Sequence, residues 1–361
     1  MGFSQGKSFR HKISRAEEIL EKTELFRRFV PSFISLPFLI NAAQAILPVF
    51  VPSILSKEKD LLDRLNGIAD GANAGRELIF LGQALEVVLD QIPYHPGCTS
   101  AGIMPEKFSG NEPVLIKNFD FIETFRVFNM IRHSVPKRGI ESFEMGLAPM
   151  CGTHMGMNRA GLSITYNYGF SRENPMPRIP VTCLIQLCLE RFERTEEAIN
   201  FFLNRHFPNG AILLVCDKDS RMAAIEGSPS HKAMRYPDRN GFLVCTNRFM
   251  SGEMQDAGIP KNAMFSETMP YGLEKVRVHE SNEKRAERLH RLFGSVRKVS
   301  EDLLIKALCD HGEENKPGDG TVCRHFPLFH TTASAILFPK TRRAYFLIGS
   351  PCKNVFHKYG F

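Results

Sequence analysis

The sequence predicts an α+β protein in which two β-sheets pack together with helices outside, behind a helical N-terminal segment. Three observations carry that reading. Apolar residues recur at helical spacing through most of the first ninety or so residues. From Cys98 onward the chain turns into short β-rich runs bounded by Gly, Pro or Asn. Helix pairs then alternate with groups of strands, an order that fits layered sheets flanked by helices.

Element by element, Ile13, Leu20, Leu25, Phe26 and Phe29 mark a helix over 13–29, and 58–91 reads as helical with a break at Gly71–Gly75. Pro93 and Pro96 end the helical part. Strands are predicted at Pro113–Phe121, Glu144–Met150 and Gly161–Tyr168, followed by an apolar helix at Ile179–Phe192. A further helix starts at Thr195, a suitable N-cap, with Glu196 and Glu197 in the first turn where the helix dipole favours acids. Strands Ala211–Asp217 and Arg221–Gly227 flank the hairpin turn Lys218-Asp219-Ser220, and Gly241–Thr246 is another strand. Helices at Asn282–Phe293 and Ser300–His311, the polar loop Glu313–Gly320, and strands Thr332–Phe338 and Ala344–Gly349 complete the chain. No internal repeat is visible.

A length of 361 residues allows one large domain or two ordinary ones, and 43% hydrophobic against 24% charged residues is the balance of a globular core. The formal charge of +7 is mildly basic and mostly dispersed. The exception is Lys284–Lys298, where Arg285, Arg288, Arg291 and Arg297 share a helical stretch with Leu289, Leu292 and Phe293. It reads as a solvated helix face over a core stripe, with a membrane surface or acidic partner as the alternative. No nucleic-acid partner is expected, because neither an RNP-like aromatic strand nor a zinc-finger spacing occurs.

Nine cysteines without a CxxC pair suit a reducing compartment, so the expectation is cytoplasmic, with membrane-associated or exported as the alternative. The pairs Cys309-x-His311 and Cys323-x-His325 carry ligand-type residues at poor spacing, and Asp217, Asp219 and Glu226 lack EF-hand spacing, so no metal is expected. The span 29–55 has no charged residue and is long enough for a bilayer at ~20 residues per crossing. Pro31, Pro37, Pro48 and Pro52 interrupt it, which favours a buried helical hairpin first and peripheral membrane contact through 29–55 second. Met1-Gly2 does not complete a myristoylation motif, since position 6 is Gly6.

The chemistry centres on Pro96-Gly97-Cys98-Thr99-Ser100, with Lys117-Asn118-Phe119-Asp120 about twenty residues downstream. A thiol attacks a carbonyl only as the thiolate and therefore needs a base. One base is the residue's own α-amine, which exists only when that residue is first in its chain and titrates near pH ~7.7–8.0. A catalytic Cys98 of this kind obliges cleavage of the Gly97–Cys98 bond. Gly97 suits that cut because it lacks a Cβ and tolerates strained dihedrals. The alternative for Cys98 is a buried structural thiol.

The segment Gly97-Cys98-Thr99-Ser100, the run Lys117-Asn118-Phe119-Asp120-Phe121, and Asn158-Arg159-Ala160-Gly161-Leu162 followed by Asn167 resemble the penicillin acyltransferase family. Thr246-Asn247 after a short strand and Gly349-Ser350-Pro351-Cys352 near the end add to the likeness, which runs from about Leu61 to Phe361 and includes Leu65–Gly71. That family belongs to the N-terminal-nucleophile hydrolases and is related to choloylglycine hydrolases and acid ceramidase. The resemblance implies a four-layer αββα sandwich. It divides the chain into a helical propeptide or small subunit, 1–97, and a catalytic domain, 98–361, whose fragments stay associated after cleavage.

By the same resemblance, Cys98 is nucleophile and base, Asp120 holds its amine, Asn247 donates to the oxyanion, Asn167 lines the site and Arg324 supports it. Asp120 and Asn247 could otherwise be strand-end turn residues, and Arg324 a solvated loop residue. Lys117 and Tyr168 are candidate substrate contacts; Lys117 stands where the bile-salt hydrolase branch has Arg, replacing a planar fork by a point charge. The expected substrate is a small-molecule acyl amide or acyl thioester with no cofactor. The 29 Phe residues and the apolar run Ala333–Phe338 suggest an apolar acyl pocket. The other readings are an acid-ceramidase-like lipid-amide hydrolase and a non-catalytic lipid-binding member of the fold.

Overall fold

The computed structural model describes residues 1–29, 34–88, 97–267, 269 and 271–361. Ahead of the sheets run helices α1 (Gly2–Ile13), α2 (Ala16–Lys22), α3 (Glu24–Phe29), α4 (Leu36–Ile54), α5 (Lys59–Ala72) and α6 (Arg76–Val88). Pro93, Pro96 and the end of the 58–91 helix lie outside the described residues, as do 30–33 of the apolar span. The break near Gly71 is real: α5 ends on Asn73 in the left-handed conformation, φ 53°.

Thirteen described strands follow. β1 (Cys98–Ile103), β2 (Val114–Ile122), β3 (Asn129–Ser134), β4 (Ser142–Leu147), β5 (Met155–Asn158) and β6 (Ser163–Tyr168) precede helices α7 (Val181–Arg191) and α8 (Thr195–Leu203). Then come β7 (Ala211–Cys216), β8 (Met222–Gly227), β9 (Lys232–Arg235), β10 (Phe242–Cys245), α9 (Glu280–Gly294), α10 (Glu301–Leu308), β11 (Phe329–Phe338), β12 (Arg343–Ile348) and β13 (His357–Gly360). They form two sheets, ordered β10-β1-β2-β11-β12-β13 and β3-β4-β5-β6-β7-β8-β9, with antiparallel pairing throughout.

Strand alternation sorts apolar side chains into separate layers. Leu115 and Phe119 of β2 meet Met145, Met155 and Leu214 of the facing sheet, filling the space between sheets. Val114 and Ile116 point the other way and pack with Leu289, Phe293 and Leu304 of α9 and α10. Leu213 and Val215 of β7 turn outward onto Leu184, Leu187 and Phe202 of α7 and α8. The result is the expected αββα sandwich with a helical N-terminal segment.

The N-terminal helices differ from the sequence reading in three ways. The helix over 13–29 is three pieces, with an earlier start at Gly2 and an extended Thr23 between α2 and α3. In 29–55 the described residues hold one helix, α4, rather than a hairpin. Ser35 caps it, Pro37 sits where helices tolerate proline, and Pro48 and Pro52 lie within it. It is also not buried: Phe38, Ile46, Val49 and Phe50 are each more than half exposed, Val49 at 72%. At α8 the N-cap is Arg194 rather than Thr195; Glu197 accepts from the Arg194 N–H, while the Thr195 hydroxyl donates to the Arg221 carbonyl.

α1 escaped detection because its contact face is glycine. Gly2 and Gly6 on α1 meet Gly67 and Gly71 on α5 backbone to backbone. A Cβ on Gly6 would stand 2.1 Å from the Ile68 carbonyl oxygen, and one on Gly71 2.0 Å from that of Phe3. Polar ties dock this pair on α7, on the loop after β4 and on the segment after α8. Gln5 donates to the Ala148 and Met150 carbonyls, Arg64 is ion-paired with Glu190, and Glu58 pairs with Arg191 and Arg205. Gly71→Ala is therefore expected to lower the thermal unfolding midpoint, by about 1–3 kcal/mol of overpacking strain. Gly294→Ala, where a Cβ meets open space, is the control and should be near neutral. A Gly71→Ala protein that melts with the wild type would contradict the close helix contact.

Candidate active site

Cys98 opens β1, between β10 and β2, and is buried. Its backbone N–H donates to Asn247 Oδ1 at 2.9 Å and its carbonyl accepts from Arg285 Nη1 at 2.6 Å. The preceding carbonyl, on Gly97, accepts from the Asp120 backbone N–H at 3.0 Å. Both sides of the Gly97–Cys98 peptide are thus held by named donors and acceptors.

β2 runs beside β1 with Phe119 opposite Cys98. Its period of two sends Lys117 and Asp120 to opposite faces. Lys117 lies in the space between the sheets, electrostatically coupled to the Cys98 thiol and 3.4 Å from Asn167 Oδ1. Asp120 faces the helix side; Thr331 Oγ1 donates to its Oδ1 at 2.7 Å. Asp120 Oδ2 is buried and has no hydrogen-bond partner among the described residues. The strand runs on to Ile122, so Asp120 sits inside it rather than at its end.

Gly97 sits in a crowded spot, where a Cβ would force the Arg324 guanidinium to move. A Cβ there would come within 2.3 Å of Arg324 Nη1 and 3.2 Å of Asp120 Oδ2. Arg324 is buried, not a solvated loop residue, and is paired with Asp319. Burial pushes the Asp120 carboxyl up, against the pull of Arg285 and Arg324. Burial also raises the Cys98 thiol, with Lys117 opposing and Asp120 reinforcing, and lowers the Lys117 ammonium. The thiol is therefore held toward its protonated form.

Asn247 follows β10 and is fully buried. Its Oδ1 takes the Cys98 N–H and Arg285 Nη2, while Nδ2 donates to the Tyr168 carbonyl at 2.9 Å, leaving its second amide hydrogen for another acceptor. Asn167 bridges the sheets, accepting from Ser100 Oγ and donating to the Cys245 and Thr246 carbonyls. The structure thus brings Cys98, Lys117, Asp120, Asn167, Asn247 and Arg324 together.

Arg285 was missed. The sequence reading gave it to a solvated basic face, yet it is among the largest fully buried side chains and donates to Cys98 O, Thr99 Oγ1, Asn247 Oδ1 and Asn282 Oδ1. The signal was present: Asn282, Arg285, Leu289 and Phe293 are the buried residues of α9 and follow helical spacing.

A cavity of about 40 Å³ opens beside Cys98, lined by Phe119, Phe121, Met150, His154, Tyr166, Tyr168 and Glu86. That is room for water rather than an acyl chain. Its apolar wall comes from Phe119, Phe121, Met150 and Tyr166, whereas Ala333–Phe338 pairs with β2 and β12 inside the sheet and is not part of the lining. Tyr168, the candidate substrate contact, is in the lining. His154 and Glu86 were not anticipated; burial and nearby Lys117 hold the His154 imidazole neutral, its pKa pushed down to about 3. Glu86 comes from α6 and closes the cavity, accepting from the Thr182 N–H at 3.0 Å and from its hydroxyl.

Burial raises the Glu86 carboxyl to about 7 even though Thr182 favours its charged form. A carboxyl raised in the folded state binds more protons there than when unfolded. Its contribution to stability is thus complete below pH ~4.5 and lost as pH climbs toward 7. Melting temperatures of wild type and Glu86→Gln across pH 4.5–7.5 should diverge, with the wild type losing up to about 3 kcal/mol relative to the variant. Parallel curves would contradict a buried, neutralised Glu86.

Comparison with known proteins gives this geometry a family. Solved structures with similar architecture include the Caenorhabditis elegans ortholog of N-acylethanolamine-hydrolyzing acid amidase, 16% identical, covering 67% of this chain and 93% of that one at a TM-score of 0.46. Penicillin V acylase from Agrobacterium tumefaciens is 14% identical, with 73% and 86% covered and a TM-score of 0.44. A variant of conjugated bile acid hydrolase from Clostridium perfringens is 13% identical, with 73% and 97% covered and a TM-score of 0.43. No curated protein matches the chain in sequence. The family described as acyl-coenzyme A:6-aminopenicillanic acid acyl-transferase matches residues 108–352, a span that begins after Cys98 and contains Asp120, Asn167, Asn247, Arg285 and Arg324. With that match over most of its length, the chain belongs to the acyl-coenzyme A:6-aminopenicillanic acid acyl-transferase family.

Proposed function

We propose that this protein is an autoprocessed cysteine amidohydrolase or acyltransferase that carries its acyl group on Cys98. The observation that carries the reading is the unpartnered Asp120 Oδ2, buried against a Gly97 that has no room for a side chain. A buried carboxylate oxygen without a donor is costly, and an α-ammonium released at Cys98 would supply one. In the first step Cys98 Sγ attacks the Gly97 carbonyl carbon and the C–N bond breaks, the α-nitrogen taking the thiol proton. Water then hydrolyses the thioester, leaving a Gly97 carboxylate and a Cys98 N-terminus. The Asp120 N–H already on the Gly97 carbonyl supports the first attack.

In turnover the freed amine takes the thiol proton and the thiolate attacks the substrate acyl carbon. The free amide hydrogen of Asn247 supports the oxyanion, and the leaving amine or thiol departs with a proton. Water or an acceptor amine then takes the acyl group from Cys98. The family's name describes acyl transfer from a coenzyme A thioester to an amine, which favours the transferase outcome as a second half-reaction without fixing it. Phe119, Phe121, Met150 and Tyr166 beside the thiol suit an apolar acyl group, as in the lipid-amide alternative, once the cavity widens to admit one. The fragments 1–97 and 98–361 would stay together through the docking of α1 and α5.

Purified wild type should give two masses, 1–97 and 98–361, and Cys98→Ala one. Asn247→Ala, if processed, should lose ~10²–10³-fold in turnover. An uncut wild type that turns over acyl amides would overturn the reading, and a flat acyl-chain-length profile would remove the apolar pocket.

We also propose that α4 rests on a lipid surface. It is apolar over 19 residues, and Phe38, Ile46, Val49 and Phe50 face outward. Co-sedimentation with phosphatidylcholine vesicles should be lost in Val49→Glu/Phe50→Glu. Vesicle binding equal in both proteins, or absent from the wild type, would contradict it.

A further inference from the structure

Far from the Cys98 chemistry along the chain, the loop after α10 and the turn after β12 bring four soft donors together: His311, Cys323, His325 and Cys352. The sequence reading paired Cys309 with His311 and Cys323 with His325 and dismissed both for their spacing. The fold takes one residue from the first pair, both from the second, and adds Cys352.

One ligand-type atom from each of the four lies within 4.8 Å of the others. His325 Nε2 is 3.4 Å from Cys323 Sγ and 3.3 Å from Cys352 Sγ. In a tetrahedral site with Zn–S of about 2.3 Å and Zn–N of about 2.0 Å, neighbouring sulfur and nitrogen atoms stand about 3.5 Å apart, close to both of these distances. An independent observation points inward as well: His311 Nε2 is buried without a hydrogen-bond partner among the described residues. Side chains of this kind are normally satisfied, and a metal would satisfy this one.

We propose that His311, Cys323, His325 and Cys352 form a closed Cys2His2 zinc site. Two thiolates and two neutral imidazoles suit Zn²⁺ better than Mg²⁺ or Ca²⁺, which prefer oxygen, and four protein ligands leave no open position for catalysis. On binding, the two thiols release their protons to solvent. The role is structural: the metal clamps the polar loop against the sheet edge and pins the backbone on both sides of Arg324, whose guanidinium crowds Gly97. Zinc is thereby coupled to the geometry of the processing site although it takes no part in the chemistry.

The test uses the full chain purified without chelators from zinc-supplemented medium. Metal analysis should return about one zinc per chain, falling at least fivefold in both Cys352→Ser and His311→Ala. Cobalt replacement should give visible d–d bands and a thiolate charge-transfer band. Removing zinc with 1,10-phenanthroline should lower the melting temperature, and Zn²⁺ but not Mg²⁺ should restore it. If the variants fail to fold, the wild-type zinc content and the chelator cycle still decide. A wild type without stoichiometric zinc, a different stoichiometric metal, or a Cys323–Cys352 disulfide in non-reducing peptide maps would overturn the assignment.

Discussion

The arrangement on which the site depends is the burial of several charges around one peptide bond. Lys117, Arg285 and Arg324 converge on Gly97–Cys98 from three elements, opposed by Asp120 and, at Arg324, by Asp319. Charges withdrawn from water are tolerable only when their neighbours compensate them. Burial pushes Lys117 toward its neutral amine and Asp120 toward its neutral acid, while Arg285 and Arg324 pull Asp120 back toward the carboxylate.

The two sheets exist, for function, to bring these groups to one point. Because β2 alternates, Lys117 lies near the thiol between the sheets while Asp120 lies beside Gly97 on the helix side. β10 delivers Asn247 beside Cys98, β6 delivers Asn167 from the opposite sheet, and α9 lays Arg285 beneath them. The N-terminal helices enter the same account through Glu86, which closes the cavity beside the thiol. The helical segment therefore covers the cavity beside the thiol, while the Gly97–Cys98 junction lies against Arg324 and Asp120.

Much of this was legible before the structure. The strands around Lys117–Asp120, Gly161–Tyr168 and Gly241–Thr246 are short β-rich runs bounded by Gly, Pro or Asn, and the family resemblance assigned Asp120, Asn167 and Asn247 to one site. What sequence did not yield has physical reasons. α1 packs through glycines, which leave no apolar periodicity. Arg285 occupies an apolar stripe while having the composition of a charged face. β3, β5, β9 and β13 are short or polar and gain their structure from neighbouring strands rather than from their own pattern. The four donors at His311, Cys323, His325 and Cys352 are assembled only by tertiary folding, so no local spacing announces them.

The central claim is that Cys98 works only as a chain terminus, with its own amine as base. The most direct measurement is acid quenching during turnover of an acyl amide, followed by peptide mapping. The account predicts an acyl mass on the thiol of a peptide that begins at Cys98. Acyl on any other residue, or on Cys98 in a peptide still joined to Gly97, would contradict it.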